Sequence, residues 1–136
     1  MSDLTRDDRP EYRNIHITQI INYRLPLAGI VSILHRISGA LLFLTLPFLL
    51  WLFHLSLISF NTFATLKGVV DHWYVKLFLL ALVWSIVHHL CAGVRFLLLD
   101  VHVGAEKPQS RVGAIWVLGV SLPVAAAIAL KLFGVF

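Results

Sequence analysis

The sequence predicts an all-α integral membrane protein with three transmembrane helices preceded by a polar N-terminal segment. Two observations carry this. Of the 136 residues, 59% are hydrophobic and only 13% are charged, a balance that suits one compact membrane unit with no room for a soluble domain. The apolar residues also gather into three long runs, each able to cross roughly 30 Å of hydrocarbon. No basic cluster interleaves with aromatics, so nothing points to a nucleic-acid partner. The single cysteine, Cys91, excludes an internal disulfide and reads as a small packing residue inside a span.

In chain order, the whole of 1–136 forms one membrane domain. Residues 1–26 are polar and hold Asp3, Arg6, Asp7, Asp8, Arg9, Glu11 and Arg13. Their later part, 14–23, alternates apolar and polar residues in the manner of a segment lying on a membrane surface or a partner. A signal peptide would have placed an apolar run near the start, so none is expected. The first helix is expected over 27–60, with Arg36 as its one charge and Pro47 as a kink. A short polar loop, 61–72, follows. The second helix is expected over 73–99 and the third over 111–135, joined by a turn containing Gly104 and Pro108. The third run is rich in Ala and Gly, as suits close helix contact in lipid.

The net charge of +4 speaks to topology. Arg6, Arg9, Arg13 and Arg24 precede the first span, and Lys107 and Arg111 lie in or beside the second loop. Lys67, Lys76 and Lys131 fall on the other side. By the positive-inside rule the N-terminus and the second loop are cytoplasmic. Residues near the start of the first helix then share a membrane level with those near the end of the second.

The second run contains the stretch WSIVHHLCAGVRFLLLD, Trp84 to Asp100. Ionisable groups at membrane depth are costly, and they face a bundle interior, pair with something or bind a cofactor. At about 100° per residue, His89, Gly93 and Asp100 share one helix face, and His88 and Arg95 share another. A neutral imidazole in an apolar helix is a ready ligand for haem iron, and a glycine one turn on admits a flat macrocycle or another helix. Spacing alone leaves a second reading open, in which both histidines only hydrogen-bond to neighbouring helices. The first run carries SILHRISG, in which Ser32, His35, Arg36 and Gly39 form a stripe at i, i+3, i+4 and i+7. A hydroxyl beside a guanidinium suits a carbonyl oxygen or a carboxylate at the membrane edge. The alternative has Arg36 snorkelling to headgroups and Ser32 bonding its own helix. His16, His54, His72 and His102 read as interfacial or loop histidines.

SILHRISG followed in the next span by His89, Gly93, Arg95 and Asp100, as H-x-x-x-G-x-R-x-x-x-x-D, resembles the cytochrome b membrane-anchor subunits of succinate dehydrogenase, respiratory complex II. The likeness extends over nearly the whole chain, including Arg9-Pro10 in the tail. Two departures stand out: Phe96 occupies a position where many members have histidine, and EYRNIHITQI after Arg9-Pro10 matches loosely.

The resemblance implies a haem b with His89 as axial ligand and a histidine of a second hydrophobic anchor subunit on the opposite side. It implies Ser32 and Arg36 at a ubiquinone site, with His35 and Arg36 near the haem propionates. Gly93, Arg95 and Asp100 belong to the motif without a specific role, and His88 becomes the ligand's neighbour. It implies an anchor in the bacterial inner membrane for an iron–sulfur and a flavoprotein subunit, serving the respiratory chain and the tricarboxylic acid cycle. The chain has no flavin fingerprint and no cysteine array, so succinate oxidation itself falls to other subunits. Alternatives are a fumarate reductase anchor, a structural anchor with vestigial histidines, and a small proton-coupled transporter using His88, His89 and Arg95 as a relay.

Overall fold

The structure, a computed structural model, describes His16, Thr18 and residues 23–135. The charged lead, with its Arg9-Pro10 pair, and most of the amphipathic stretch 14–23 lie outside those residues. Residues 23–135 form the helices α1 Leu27–Ile58, α2 Phe60–Val70, α3 Trp73–Asp100 and α4 Lys107–Leu132. Three of them, α1, α3 and α4, are long and apolar enough to cross a membrane, and the described residues include no strand.

α1 begins where Pro26, in extended conformation, lends its carbonyl to Gly29 N and Ile30 N at 2.8 and 3.1 Å. It runs on through Pro47, which costs the helix one backbone donor. It ends at Ile58, because Ser59 turns extended (φ −158°, ψ 160°). The Ser59 hydroxyl then accepts from Thr62 N at 3.1 Å, a side-chain N-cap for the next helix.

That next helix corrects the loop expected over 61–72. Phe63, Leu66 and Val70 recur at helical spacing, with Asn61, Thr65 and Lys67 exposed on the outer side. Scattered polar residues imitated a loop, yet their period is that of an amphipathic helix. α2 packs mainly along α1 and also meets α3. A cavity of about 490 Å³ remains among the three, lined by Phe48, Leu52, Leu66, Val70 and Phe78.

The last helix also departs from expectation, spanning Lys107–Leu132 in place of 111–135. Pro108 lies in its first turn, where a missing N–H costs nothing. Gly134 closes it with φ 75° and a bond from its N to Lys131 O at 3.1 Å, the left-handed C-terminal geometry that favours glycine. α3 ends similarly, with His102 at φ 64° and Val103 N donating to Leu98 O at 2.9 Å. α3 extends to Asp100, one residue beyond the expected end.

α3 is the central helix, packed along both α1 and α4. Its inward stripe is Leu82, Ser85, His88, Ala92 and Arg95; α4 answers with Ala114, Val117, Ser121 and Ala125, and α1 with Val31 and Ser38. Small residues dominate the seam, so the backbones approach closely. Cys91 packs half-buried at its margin, as a small packing residue should. Most large apolar side chains point outward, Phe43 at 76% exposure and Leu44 at 75% among them, a pattern suited to lipid or to other membrane helices.

Near the α3–α4 turn, Arg95 is buried and its Nη2 donates to Ser110 O at 3.3 Å and Ser110 Oγ at 2.9 Å. A Cβ at Gly113 would lie 3.2 Å from Arg95 Nε. Gly113→Leu is therefore expected to push the guanidinium off Ser110 and destabilise the bundle by about 1–3 kcal/mol. Gly119→Leu, where a Cβ meets open space, is expected to change stability by less than about 0.5 kcal/mol. Thermal unfolding of the purified complex checks the contrast.

Candidate functional site

The polar side chains of α3 separate onto two faces. His89 enters the seam with α1, where its ring stacks on His35 at 4.1 Å between centroids with a 9° interplanar angle. His89 Nδ1 lies 3.1 Å from the His35 carbonyl and 3.3 Å from Ser38 Oγ. A carbonyl only accepts, so this geometry places the imidazole proton on Nδ1 and leaves the lone pair on Nε2. Nε2 has no hydrogen bond and is not sealed from the surface. The ring comes up against Gly39, where a Cβ would come within 2.7 Å of Cε1. One turn along α3, Gly93 faces His35 Nε2 at 3.7 Å from its would-be Cβ. Phe96 then packs on His35 at 5.0 Å, with the Arg95 guanidinium 5.5 Å from the Phe96 centroid.

His88 faces the other way and is fully buried between α3 and α4. Its Nδ1 lies 3.4 Å from Ser121 Oγ, and Trp84 stacks on it at 5.0 Å. The Val31 backbone of α1 lies beside the ring, and Nε2 meets no partner in hydrogen-bonding geometry. Adjacent in sequence, the two histidines thus have opposite situations: one presents a free nitrogen at a seam, the other is enclosed. The face-sharing read from spacing is what the structure shows for His88 with Arg95 and for His89 with Gly93.

The α1 stripe is only partly gathered at this site. Ser32 and His35 are half-buried, whereas Arg36 is exposed. Neither Ser32 nor Arg36 has a side-chain hydrogen bond or ion pair among the described residues, so Ser32 does not bond back to its own helix. Asp100 sits exposed at the last residue of α3, also without an ion pair; the salt bridge among the described residues joins Lys76 to Asp71 at 3.5 Å, at the opposite end of α3. His54, His72 and His102 are exposed.

Sequence reasoning passed over Ser38, Ser110 and Ser121. Each places its Oγ beside a polar side chain of α3. A signal existed: Ser110, Ala114, Val117, Ser121 and Ala125 repeat at helical spacing, and Ser38 lies one turn after His35. Among the described residues no three His, Cys, Asp or Glu side chains converge on one point. His89, with its proton on Nδ1, could give Nε2 to a metal centre that brings its other ligands with it. A porphyrin iron is of that kind, and His89 Nε2 fits it.

The arrangement defines a class first: a three-span membrane subunit with a histidine seam between its first two spans. The family model described as the succinate dehydrogenase/fumarate reductase transmembrane subunit matches residues 7–128, and the chain belongs to that family. It is 32% identical over 136 residues to the succinate dehydrogenase cytochrome b556 subunit of Paracoccus denitrificans, covering 100% of both chains. It is 33% identical over 124 residues to that of Coxiella burnetii, covering 90% of this chain and 93% of the other. The Rickettsia felis subunit of the same name is 32% identical over 82 residues, 60% of this chain and 63% of its own.

Enclosure of His88 has an energetic corollary. His88→Leu removes an unpartnered buried nitrogen while conserving most of the volume, and Ser121 can bond its own helix instead. The variant is expected to unfold within about 1 kcal/mol of the parent, whereas His88→Asp, which can bury a charge, is expected to prevent accumulation of the complex. Thermal denaturation and membrane content check both.

Proposed function

We propose that this chain binds haem b through His89 and forms part of the ubiquinone site of a succinate dehydrogenase, as the anchor for its iron–sulfur and flavoprotein subunits. One observation carries the reading. His89 gives its Nδ1 proton to a backbone carbonyl and keeps Nε2 free at a glycine-floored seam, as metal-bound imidazoles commonly do. A histidine of the second hydrophobic anchor subunit would be the other protein ligand. Two imidazoles saturate an iron, which favours electron transfer over oxygen binding; bound haem would supply that electron storage. His35 stacks on the ligand, and Arg36 on the same stripe offers its cation to the propionates. Gly93 leaves room beside His35. Arg95 anchors the α3–α4 turn through Ser110, and Asp100 at the end of α3 is left for a partner subunit.

The quinone reading rests on Ser32 and Arg36. Both are donors near one end of α1, and neither has a side-chain hydrogen bond or ion pair among the described residues. A quinone is apolar with two carbonyl oxygens, so it needs a lipid-accessible cleft and a few donors at its ends. Ser32 donates to one carbonyl, and Arg36 supplies positive potential as the quinone is reduced. Proton delivery for quinol formation asks for a site near the aqueous edge, here the cytoplasmic side of the inner membrane, where the basic residues also place the N-terminus. Succinate oxidation lies on the other subunits, and the chain serves the respiratory chain and tricarboxylic acid cycle through them. A fumarate reductase anchor shares these features, and the direction of catalysis in the complex separates the two. A proton relay through His88, His89 and Arg95 fits less well, since His88 and His89 occupy opposite faces and Arg95 is held by Ser110.

Reduced-minus-oxidised spectra of the purified complex test the haem assignment. His89→Leu is expected to abolish or alter the low-spin b-type signal, and His88→Leu to retain it; the reverse pattern would overturn the assignment. Ser32→Ala and Arg36→Leu are expected to lower ubiquinone-dependent turnover about ten- to a hundredfold, on the order of 1–3 kcal/mol for a lost hydrogen bond to a charged or partly charged group. Succinate oxidation by an artificial acceptor that draws on the flavin is expected to persist. Normal quinone kinetics in both variants would count against these residues.

A further inference from the structure

We propose that Ser38 is a positioning residue for His89, setting with the His35 carbonyl the tautomer, ring plane and basicity of that imidazole; this rests on the reading of His89 as a haem ligand. Ser38 is fully buried, and its hydroxyl donates to His35 O at 2.9 Å. That bond uses the Ser38 proton and turns an Oγ lone pair toward His89 Nδ1, 3.3 Å away. The Nδ1–H is then shared between two oxygens, Ser38 Oγ and His35 O. The opposite tautomer would set an Nδ1 lone pair against the His35 carbonyl oxygen at 3.1 Å, a repulsive contact, so the proton is confined to Nδ1.

The same short segment fixes the ring plane. Gly39 leaves the space the ring occupies, because a Cβ there would meet His89 Cε1 at 2.7 Å and Nδ1 at 3.2 Å and force the ring to shift. The His35 ring, 9° from parallel, stacks on the imidazole. His35, Ser38 and Gly39 thus hold one imidazole by carbonyl, hydroxyl, ring face and missing side chain. An imidazole whose Nδ1 proton is held by oxygen acceptors is a stronger donor at Nε2. A stronger donor favours the ferric over the ferrous state and lowers the midpoint potential. Ser38 is therefore a means of tuning the electron affinity of the site from this chain alone.

The test is spectroelectrochemical titration and low-temperature EPR on the intact purified complex carrying Ser38→Ala, with Ser121→Ala as control. Ser121 is also a buried serine beside a histidine, but that histidine is His88. Ser38→Ala is expected to move the haem midpoint to more positive potential and shift the low-spin EPR signal. Ser121→Ala is expected to leave both in place. If Ser38→Ala loses haem altogether, Ser38→Thr, which keeps the hydroxyl, must regain it; continued loss would assign Ser38 to packing and overturn the proposal. An unmoved potential and EPR signal in Ser38→Ala, or an equal shift in Ser121→Ala, also overturns it. A parent complex with no low-spin b-type signal overturns the ligand reading itself, a result distinct from failure of the Ser38 role.

Discussion

Everything in this bundle depends on how α3 disposes of its polar side chains where there is no water to solvate them. An unpaired polar group in hydrocarbon costs several kcal/mol, and α3 carries His88, His89 and Arg95 within eight residues of one another. Each has an oxygen neighbour on an adjacent segment: His35 O and Ser38 Oγ for His89, Ser121 for His88, and Ser110 for Arg95. Those contacts tie α3 to α1 on one side and to α4 on the other. The same groups that make the helix costly to insert thereby set its rotation between its neighbours.

Close approach makes the pairing possible. Serine is short, so its hydroxyl reaches a partner only when the backbones lie near. Ala92, Ala114 and Gly113 on the α3–α4 side, and Gly39 on the α1 side, supply that proximity. Small residues and polar residues are one device here, since neither works without the other. A few atoms remain unsatisfied, notably His88 Nε2, Ser85 Oγ and Arg95 Nε. They lie along the single inward stripe of α3, so the cost of burying polarity is concentrated there and the α1 seam is kept for His89.

Outside these seams the molecule is strongly apolar, with aromatic and aliphatic side chains directed away from its own core. That surface is consistent with a subunit whose other faces meet lipid and further membrane helices. Ser32, Arg36 and Asp100 have no side-chain hydrogen bond or ion pair among the described residues, and Arg36 and Asp100 are exposed.

The three spans and the helical stripes were legible in the sequence, because membrane length and helical period are local properties of a chain. Period also separated His88 from His89, since adjacent residues differ by about 100° around the axis. It was silent on which face would be enclosed, because spacing gives an angle and no neighbour. Only the tertiary structure placed Ser121 beside His88 and the His35 carbonyl beside His89, and so decided which nitrogen carries the proton. It likewise turned the polar stretch after Ser59 into α2, whose apolar face has meaning only against α1 and α3. What belongs to one helix the sequence determined; what depends on atoms from two helices meeting, the folded bundle decided.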